Sequence, residues 1–507
     1  MEQKNKQKTE SRKPDHPLIA ILKFFPLLLF AGLVLFLKFD LLMAAPLATF
    51  AAIIIYVLTA KVRFGDAFEH GMEAMKKIAL IFFILMFAYA VAECFMATGV
   101  GASMINLALK LGVTGQSVAA VSLIVTCLLS VATGSSWGTF AACAPIFLWL
   151  SHIVGGDAGL TVCAIAGGSC FGDNIGMISD VTVLSCGMQN VKIIDRVKHQ
   201  LFWSLGCLLV ALVVFFVAGL GLSPTAGDPS QIFETIPDSV MTALEQERPS
   251  AVDLLHQVRD GVPFYMIFPV VVVIGMSFLN CHTLLCLGAG VLSSLLLGIF
   301  AGTISFPQWF AESGPIFTGF SSAGGWVVVM MMWVSVFGGI MNAMDAFAPL
   351  KRVVIRMSRN IHHLMGWCSV LCLIGNVALA DESAQVATMS PIVRDIVENN
   401  TECDTEADEY GLRVKLATFT SSMGIYGSEL IPWHCFPVFF ASIASVVYPL
   451  AADGTYIDNR FTPIDIISRN YTSFIMIGTI LILTFTGWDR FIPKFGLPKG
   501  ARLKKQG

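Results

Sequence analysis

Charged residues are scarce in this sequence. Asp, Glu, Lys and Arg account for 13% of the 507 residues, whereas soluble domains carry roughly 25%. This scarcity excludes an ordinary soluble domain. With 55% hydrophobic residues and a mean hydropathy of +0.74, the composition indicates a polytopic membrane protein.

Signatures of enzymes and metal sites are also missing. No polar loop carries an HExxH, GxSxG, Walker or dinucleotide-binding pattern, which argues against a membrane-bound enzyme. The 13 cysteines form no CxxC pair and show no metal-ligand spacing, so we expect no disulfide framework, no zinc and no cofactor. We expect no nucleic-acid partner either.

A polar segment, FGDNIGMISDVTVLS, interrupts the apolar sequence at residues 171–185. In hydrocarbon, irregular polar backbone is tolerated only where it is buried in protein or lines a wet cavity. We therefore predict a discontinuous transmembrane helix, broken within this segment. Asp173, Asn174, Asp180 and Thr182 are predicted to line the break.

Further apolar runs predict the remaining membrane crossings, each of which needs about 20 residues. Two regions with polar tips, 115–153 (tip 134–139) and 364–398 (tip 376–385), predict re-entrant hairpins, and a second broken helix is predicted at 414–450, interrupted at 424–434. The predicted simple spans are 17–37, 41–60, 78–97, 200–221, 263–279, 282–302, 325–345 and 471–488.

The order of these parts is the same in both halves of the chain. Each half crosses the membrane five times, and because five is odd, the second half must run inverted. The predicted fold is an all-α polytopic membrane protein with two inverted five-crossing repeats, each with a re-entrant hairpin and a discontinuous helix. The predicted segments are a cytoplasmic tail (1–16), a first transmembrane repeat (17–221), an extracytoplasmic linker loop (222–261), a second repeat (262–490) and a cytoplasmic basic tail (491–507).

The distribution of basic residues supports an odd number of membrane crossings in each half. With residues 1–16 placed inside as a retained tail rather than a signal peptide, 25 of the 32 Lys and Arg residues fall in predicted inner segments and six in outer ones. This asymmetry follows the positive-inside rule. It predicts that both termini are cytoplasmic and that the loop 222–261 is outside.

Inverted repeats whose interrupted helices meet near the bilayer midplane are typical of secondary transporters. The four interruptions together contain five acidic residues, one histidine and no lysine or arginine, so a cation is the favoured substrate. Hard oxygen ligands suit Na⁺, by analogy with hard divalent cations. The predicted ion-binding residues are Ser135, Ser136, Thr139, Asp173, Asn174, Ser179, Asp180, Thr182, Asn376, Asp381, Glu382, Ser383, Ser428, Glu429 and His434, with Na⁺ itself at Asp173, Asp180 and Thr182.

Simpler roles stay open for several of these residues. Asp381 and Glu382 could merely cap the helix that follows them, and His434 could be a structural, hydrogen-bonded histidine rather than part of a proton pathway. Glu93, alone in the third span, is a candidate proton carrier beside Asp173, but it could also be protonated and structural or lie near the outer interface.

Three motifs resemble those of NhaC-type sodium/proton antiporters. Residues 171–185 resemble the family's FGD-x-x-SPISDTT-x-LS signature, GSSWGTF (134–140) resembles GTSWGT, and LIPWH (430–434) resembles LIPWN. The resemblance implies the ion-transporter superfamily fold in the cytoplasmic membrane of a prokaryote, as a dimer with a mobile transport domain built from the hairpins and broken helices. This sequence departs from the family pattern at Met177 and Val181, at His434, at Ser421 and Ser422 in place of a Glu-Asp pair, and at Glu429 in place of a proline.

The favoured function is exchange of a monovalent cation, Na⁺ first, for H⁺ by an alternating-access, elevator-type mechanism. The departures at Ser421, Ser422 and Glu429 favour an alternative, a Na⁺- or H⁺-coupled transporter of a small organic solute such as an amino acid, amine or hydroxy acid. A membrane-bound enzyme or a channel is the remaining class, and the paired hairpins argue against a channel.

Overall fold

A computed structural model describes most of the chain, and the predicted tail 1–16 lies outside it. The described residues form the two short strands β1 (Thr401–Cys403) and β2 (Ala501–Leu503) and 23 α-helices. The described ranges are 17–177, 179–224, 236, 238–247, 249–279, 281–325, 327–346, 348–451, 454–457 and 459–504. The helices are α1 (Pro17–Leu35), α2 (Leu41–Ala60), α3 (Phe64–Thr98), α4 (Val100–Lys110), α5 (Val118–Thr133), α6 (Ser136–Ile153), α7 (Ala158–Ile175), α8 (Asp180–Gln189), α9 (Ile193–Gly219), α10 (Asp238–Glu247), α11 (Pro249–Asp260), α12 (Phe268–Phe278), α13 (Thr283–Ala301), α14 (Phe306–Trp309), α15 (Pro315–Gly325), α16 (Val327–Ala343), α17 (Ala348–Met357), α18 (Ile361–Leu379), α19 (Glu382–Asn400), α20 (Glu406–Ser428), α21 (Cys435–Val447), α22 (Pro463–Ser468) and α23 (Tyr471–Thr486).

Several of these helices are long and apolar enough to cross a membrane. Among the described residues, five helical stretches of at least 18 residues qualify: α2, α9, α13, the stretch Pro315–Ala343, and α18. The apolar part of α3 joins α4 at a bend of 68° to form a sixth candidate. The predicted all-α polytopic membrane class is confirmed.

The first repeat breaks where its polar residues were predicted to break it. Helix α5 ends at Gly134, which has a positive φ of 65°, and Ser135 caps α6 by accepting a hydrogen bond from the Gly138 amide. Helix α7 ends before Gly176, and the Ser179 hydroxyl caps α8. Polar side chains that bond freed amides and a residue in the left-handed region are the usual ways to end a helix.

The second repeat breaks at the corresponding positions. Helix α18 ends at Ala380, with φ of 52°, and Asp381 caps α19 through a 2.7 Å hydrogen bond from the Ala384 amide. Helix α20 ends at Ser428 and α21 begins at Cys435. The positions of the four breaks therefore match the sequence, whereas the inverted orientation of the halves and the re-entrant course of the hairpins stay predictions.

The helices that flank the breaks pack on one another. In the first repeat α5, α6 and α7 all pack on one another. Gly172 of α7 lies so close to α5 that an added Cβ would collide with the Val131 backbone and with Ser130. The Ser130 hydroxyl also donates to the Ser169 carbonyl across the same contact. In the second repeat α18 packs on α19 and α20, and α8 of the first repeat packs against both α19 and α20.

A second group of helices surrounds this one. Helices α1, α2, α3, α13, α15 and α16 contact each other, and they meet the broken helices where α3 packs on α6 and α16 packs on α18. The arrangement positions both hairpins at a boundary between the two groups.

The predicted linker loop 222–261 needs correction. Its residues 225–235, 237 and 248 lie outside the described part of the structure, but α10 and α11 occupy most of the rest. Helix α11 buries Ala251, Leu254, Leu255 and Val258 and packs on α3 and α4. These residues follow the i, i+3, i+4, i+7 spacing of an amphipathic helix. This spacing was overlooked in the sequence because acidic residues surround it.

The segment that holds β2 is attached to the connector that precedes α20. Strand β2 pairs antiparallel with β1, and Arg502 contacts Asp404 at 3.2 Å. Nearby, the buried Lys415 of α20 pairs with the buried Asp489 and donates to the Phe495 carbonyl at 2.5 Å. The connector 399–411 and the residues after α23 therefore lie on the same face of the protein, as the predicted topology requires.

Candidate ion-binding site

Asp173 joins the first hairpin to the first break. It lies near the end of α7 and is 5% exposed, and the Ser136 hydroxyl at the start of α6 donates to its Oδ2 at 2.9 Å. Ser135 and Thr139 of the same tip line a narrow, mostly apolar cavity against α12 and α13. The structure thus brings together the predicted residues Asp173 and Ser136, while Ser135 and Thr139 face the surrounding helices.

Asn174 links the two repeats. Its Nδ2 lies 3.2 Å from Ser421 Oγ and 3.3 Å from Ser422 Oγ, both on α20. Its backbone carbonyl, at the carboxyl end of α7, accepts a 3.0 Å hydrogen bond from Gln200 and a 3.4 Å one from Thr182. The first break therefore meets the second repeat through hydroxyl and amide groups.

Asp180 is the first residue of α8, directly after the capping residue Ser179. Its side chain and the whole of Ile178 lie outside the described part of the structure. A ligand role for Asp180 therefore stays a prediction.

Arg196 is a residue that the sequence reasoning missed. It was counted among the basic residues of an inner loop, but it lies on α9, fully buried, beneath the first break. Its Nη1 donates to Thr182 Oγ1 at 2.8 Å and its Nη2 to Ser421 Oγ at 2.7 Å. The sequence around Arg196 shows neither that α9 begins before this residue nor that α9 packs on α8 and α20. No local pattern therefore indicated that Arg196 is buried.

The guanidinium of Arg196 has no acidic side chain within 4.0 Å among the described residues. The ion pairs in that part of the chain do not include it, and its Nε has no hydrogen-bond acceptor. Buried charges are normally paired because removing a charge from water costs several kcal/mol. The four interruptions themselves contain no lysine or arginine, but Arg196 of α9 brings a positive charge to the first break.

The second hairpin and the second break meet at Asn376 and His434. Asn376 Nδ2 donates to the carbonyls of Met423 and Gly424 in α20, and its Oδ1 lies 2.9 Å from His434 Nε2. Both residues are fully buried. His434 is thus hydrogen-bonded within the site, which leaves the structural and the proton-transfer alternatives both open.

The two acids of the second hairpin have different surroundings. Asp381 uses Oδ1 as a helix cap, while its Oδ2 has no partner among the described residues. Asp381 and Ser383 also line a cavity of about 230 Å³ that opens between α19 and α16. Glu382 turns instead to Cys435, whose Sγ lies 3.3 Å from Oε2. Helix capping, the simpler alternative, therefore accounts for Oδ1 of Asp381 but not for Oδ2, which has no described hydrogen-bond partner.

Two predicted residues of the second break bond groups outside the hairpins. Glu429 is buried and accepts a hydrogen bond from Ser473 of α23, and Ser428 donates back to the Ile425 carbonyl of its own helix. Glu93, the other predicted proton carrier, is buried in α3.

Broken helices whose buried ends carry carboxylates, hydroxyls and amides are typical of secondary transporters. The chain belongs to the Na⁺/H⁺ antiporter family, whose family model matches residues 9–220 and 168–488. The resemblance drawn from the three motifs is confirmed.

The relatives of this chain transport different substrates according to their names. The Na⁺/H⁺ antiporter NhaC of Alkalihalophilus pseudofirmus is 21% identical over 379 residues, covering 72% of this chain and 76% of the relative. The arginine/ornithine antiporter ArcD of Halobacterium salinarum is 22% identical over 386 residues, covering 72% and 70%. The malate-2H⁺/Na⁺-lactate antiporter of Bacillus subtilis is 32% identical over 98 residues, covering 19% and 21%.

Proposed function

We propose that this protein exchanges Na⁺ for H⁺ across the cytoplasmic membrane of a prokaryote by alternating access. The observation that carries the proposal is Asp173, a buried carboxylate at the junction of a hairpin and a helix break, in a member of the Na⁺/H⁺ antiporter family. A buried carboxylate can hold a cation or a proton but not both at once. One such group that faces the two sides in turn is sufficient for exchange.

The neighbouring oxygens support a hard cation at the first break. Ser136 Oγ, the Asn174 carbonyl and Thr182 Oγ1 surround the ends of α7 and α8. The carboxyl end of a helix attracts cations because its carbonyls carry partial negative charge. We place Na⁺ between Asp173, Asp180 and Thr182, in a homodimer with cytoplasmic termini whose hairpins and broken helices move together as an elevator.

A second candidate function is coupled transport of a small organic solute that carries a carboxylate, such as an amino acid or a hydroxy acid. Arg196 favours it, since a buried guanidinium without a described counter-charge is suited to bind a carboxylate. Ser421, which contacts Arg196, and Ser422 add hydroxyl donors without negative charge. Two of the relatives, named for arginine/ornithine and for malate and lactate, give this candidate additional weight.

Reconstitution in proteoliposomes separates the two functions. A Na⁺ gradient should drive H⁺ movement, and an H⁺ gradient should drive Na⁺ movement, without any solute present. The variant Asp173→Asn should abolish this exchange, while Asp395→Asn, the same change at an exposed acid of α19, should retain it. Exchange that appears only when an amino acid or a hydroxy acid is added would overturn Na⁺/H⁺ exchange in favour of the second function.

A further inference from the structure

A cluster of three different ligand types lies between the second hairpin and the second break. Glu382 begins α19, His434 caps α21 and Cys435 begins α21. One donor atom of each lies within 4.8 Å of the donor atoms of the other two, and all three residues are at most 3% exposed. We propose that Glu382, His434 and Cys435 form a binding site for a divalent cation of the Zn²⁺ class.

The spacing of the donor atoms fits such an ion. Cys435 Sγ lies 3.3 Å from Glu382 Oε2 and 3.3 Å from His434 Nδ1. In a tetrahedral zinc site with bonds of about 2.0–2.3 Å, two ligand atoms are separated by roughly 3.3–3.8 Å. Two of the three separations therefore lie at the lower edge of this range, and the third, between Glu382 and His434, is within 4.8 Å.

The surroundings of His434 prepare it as a ligand. Asn376 Oδ1 lies 2.9 Å from Nε2 and, because an amide oxygen can only accept, it fixes the proton on Nε2 and leaves Nδ1 as an acceptor, 3.3 Å from Cys435 Sγ. Nδ1 also accepts the 3.4 Å capping hydrogen bond from the Phe436 amide, which a bound ion would replace. Asn376 is itself oriented by the hydrogen bonds that its Nδ2 donates to α20. Metal-binding histidines commonly have such a partner on the second ring nitrogen.

The chemistry of the donors selects the ion. A thiolate and an imidazole are poor ligands for Na⁺ and good ones for Zn²⁺. The starts of α19 and α21 carry partial positive charge that opposes a cation, and a bound ion would itself hold Cys435 as the thiolate. Glu382 and the thiolate together supply two negative charges. Three protein ligands with a fourth position open are also the pattern of zinc sites that exchange a ligand, and Asp381 Oδ2, buried and without a described partner, adjoins Glu382.

A bound ion would join the second hairpin to the segment after the second break. Glu382 belongs to the hairpin α18–α19, whereas His434 and Cys435 belong to the segment after the second break. Insofar as it concerns transport, the inference rests on the proposed function: Zn²⁺ should inhibit exchange because it would occupy Glu382 and His434, which are among the residues predicted to bind the transported ion. The binding itself does not depend on what is transported.

Cobalt binding tests the site directly. Purified protein in detergent, incubated to equilibrium with Co²⁺, should develop the near-ultraviolet absorption of thiolate-to-Co²⁺ charge transfer, and added Zn²⁺ should remove it. Cys435→Ser should abolish the band. Cys368→Ser, which alters an equally buried cysteine in α18, should retain it, and thermal melting should confirm that both variants are folded.

Transport gives a second and separate measurement. In proteoliposomes, Zn²⁺ should inhibit exchange by the unaltered protein and by Cys368→Ser, but not by Cys435→Ser. Absence of the Co²⁺ band in folded protein, or its persistence in Cys435→Ser, would overturn the site whatever the transport assay shows. A Co²⁺ band without any Na⁺/H⁺ exchange would overturn the proposed function and leave the metal site standing.

Discussion

Replacing Arg196 with Gln should alter transport far more than stability. The substitution removes two charge-assisted hydrogen bonds, to Thr182 and Ser421, each worth about 1.5–3 kcal/mol. It also removes an unpaired buried guanidinium, whose desolvation costs several kcal/mol. Because these contributions oppose each other and the Gln amide can keep one hydrogen bond, we expect the free energy of unfolding to change by less than about 2 kcal/mol.

The effect on transport distinguishes the two candidate functions. If Na⁺ binds at the first break, loss of the neighbouring positive charge should strengthen Na⁺ binding, so the Na⁺ concentration for half-saturation should fall. If the site binds a carboxylate, the half-saturation for that solute should rise, by about tenfold for each 1.4 kcal/mol lost. Melting curves in detergent and initial rates in proteoliposomes supply both quantities.

Two results would refute this reasoning. Unchanged half-saturation for every substrate, in a folded variant, would show that Arg196 is purely structural. A large loss of stability would show that the guanidinium is paired after all. The acidic partner of Arg196 would then be sought at Asp180, whose side chain lies outside the described part. If Asp180 is that partner, the double variant Arg196→Gln with Asp180→Asn should regain the stability that Arg196→Gln loses.

Further predictions concern the two aspartates, pH, a paired buried charge and topology. Asp173→Asn should abolish proton coupling in vesicles without preventing folding, whereas Asp180→Asn should lose stabilisation by Na⁺ in melting curves; the reverse pattern would exchange their roles. The Na⁺ concentration for half-saturation should increase as pH falls from about 9 to 6, since a protonated carboxylate cannot bind the cation, and a constant value would exclude direct competition. Lys415→Met should destabilise the protein by about 3–5 kcal/mol, since it leaves the buried Asp489 with only His362, 4.0 Å from its Oδ1, as an ion-pair partner. Thermal melting of Lys415→Met beside Arg196→Gln measures the contrast. A single cysteine at position 240, on a cysteine-free background, should react with membrane-impermeant reagent from outside only.

The helix breaks could be predicted because their causes are local. Gly134 takes a positive φ, Ser135 and Asp381 bond freed amides, and polar runs such as 171–185 are recognisable within apolar sequence. Such signals depend on a few consecutive residues, so the sequence alone carries them.

The contents of the site were predictable only in part, because they depend on contacts between distant segments. Arg196 lies 225 residues from Ser421, and Cys435 lies 53 residues from Glu382. Neither separation corresponds to a recognisable sequence motif. Arg196 was assigned to a loop because basic residues usually flank membrane spans. The contact of Glu429 with Ser473 was equally hidden, since the two residues lie 44 positions apart, and the ligand role of Glu429 stays a prediction.

The close approach at Gly172 determines which parts of the protein can slide. A side chain there would collide with Val131 and Ser130, so α5 and α7 interlock backbone to backbone and share one path of travel. In the proposed elevator, the first break would therefore carry the first hairpin with it. Sliding would then occur at boundaries such as those of α3 with α6 and of α16 with α18, and a bulky residue introduced there, rather than between α5 and α7, should slow exchange.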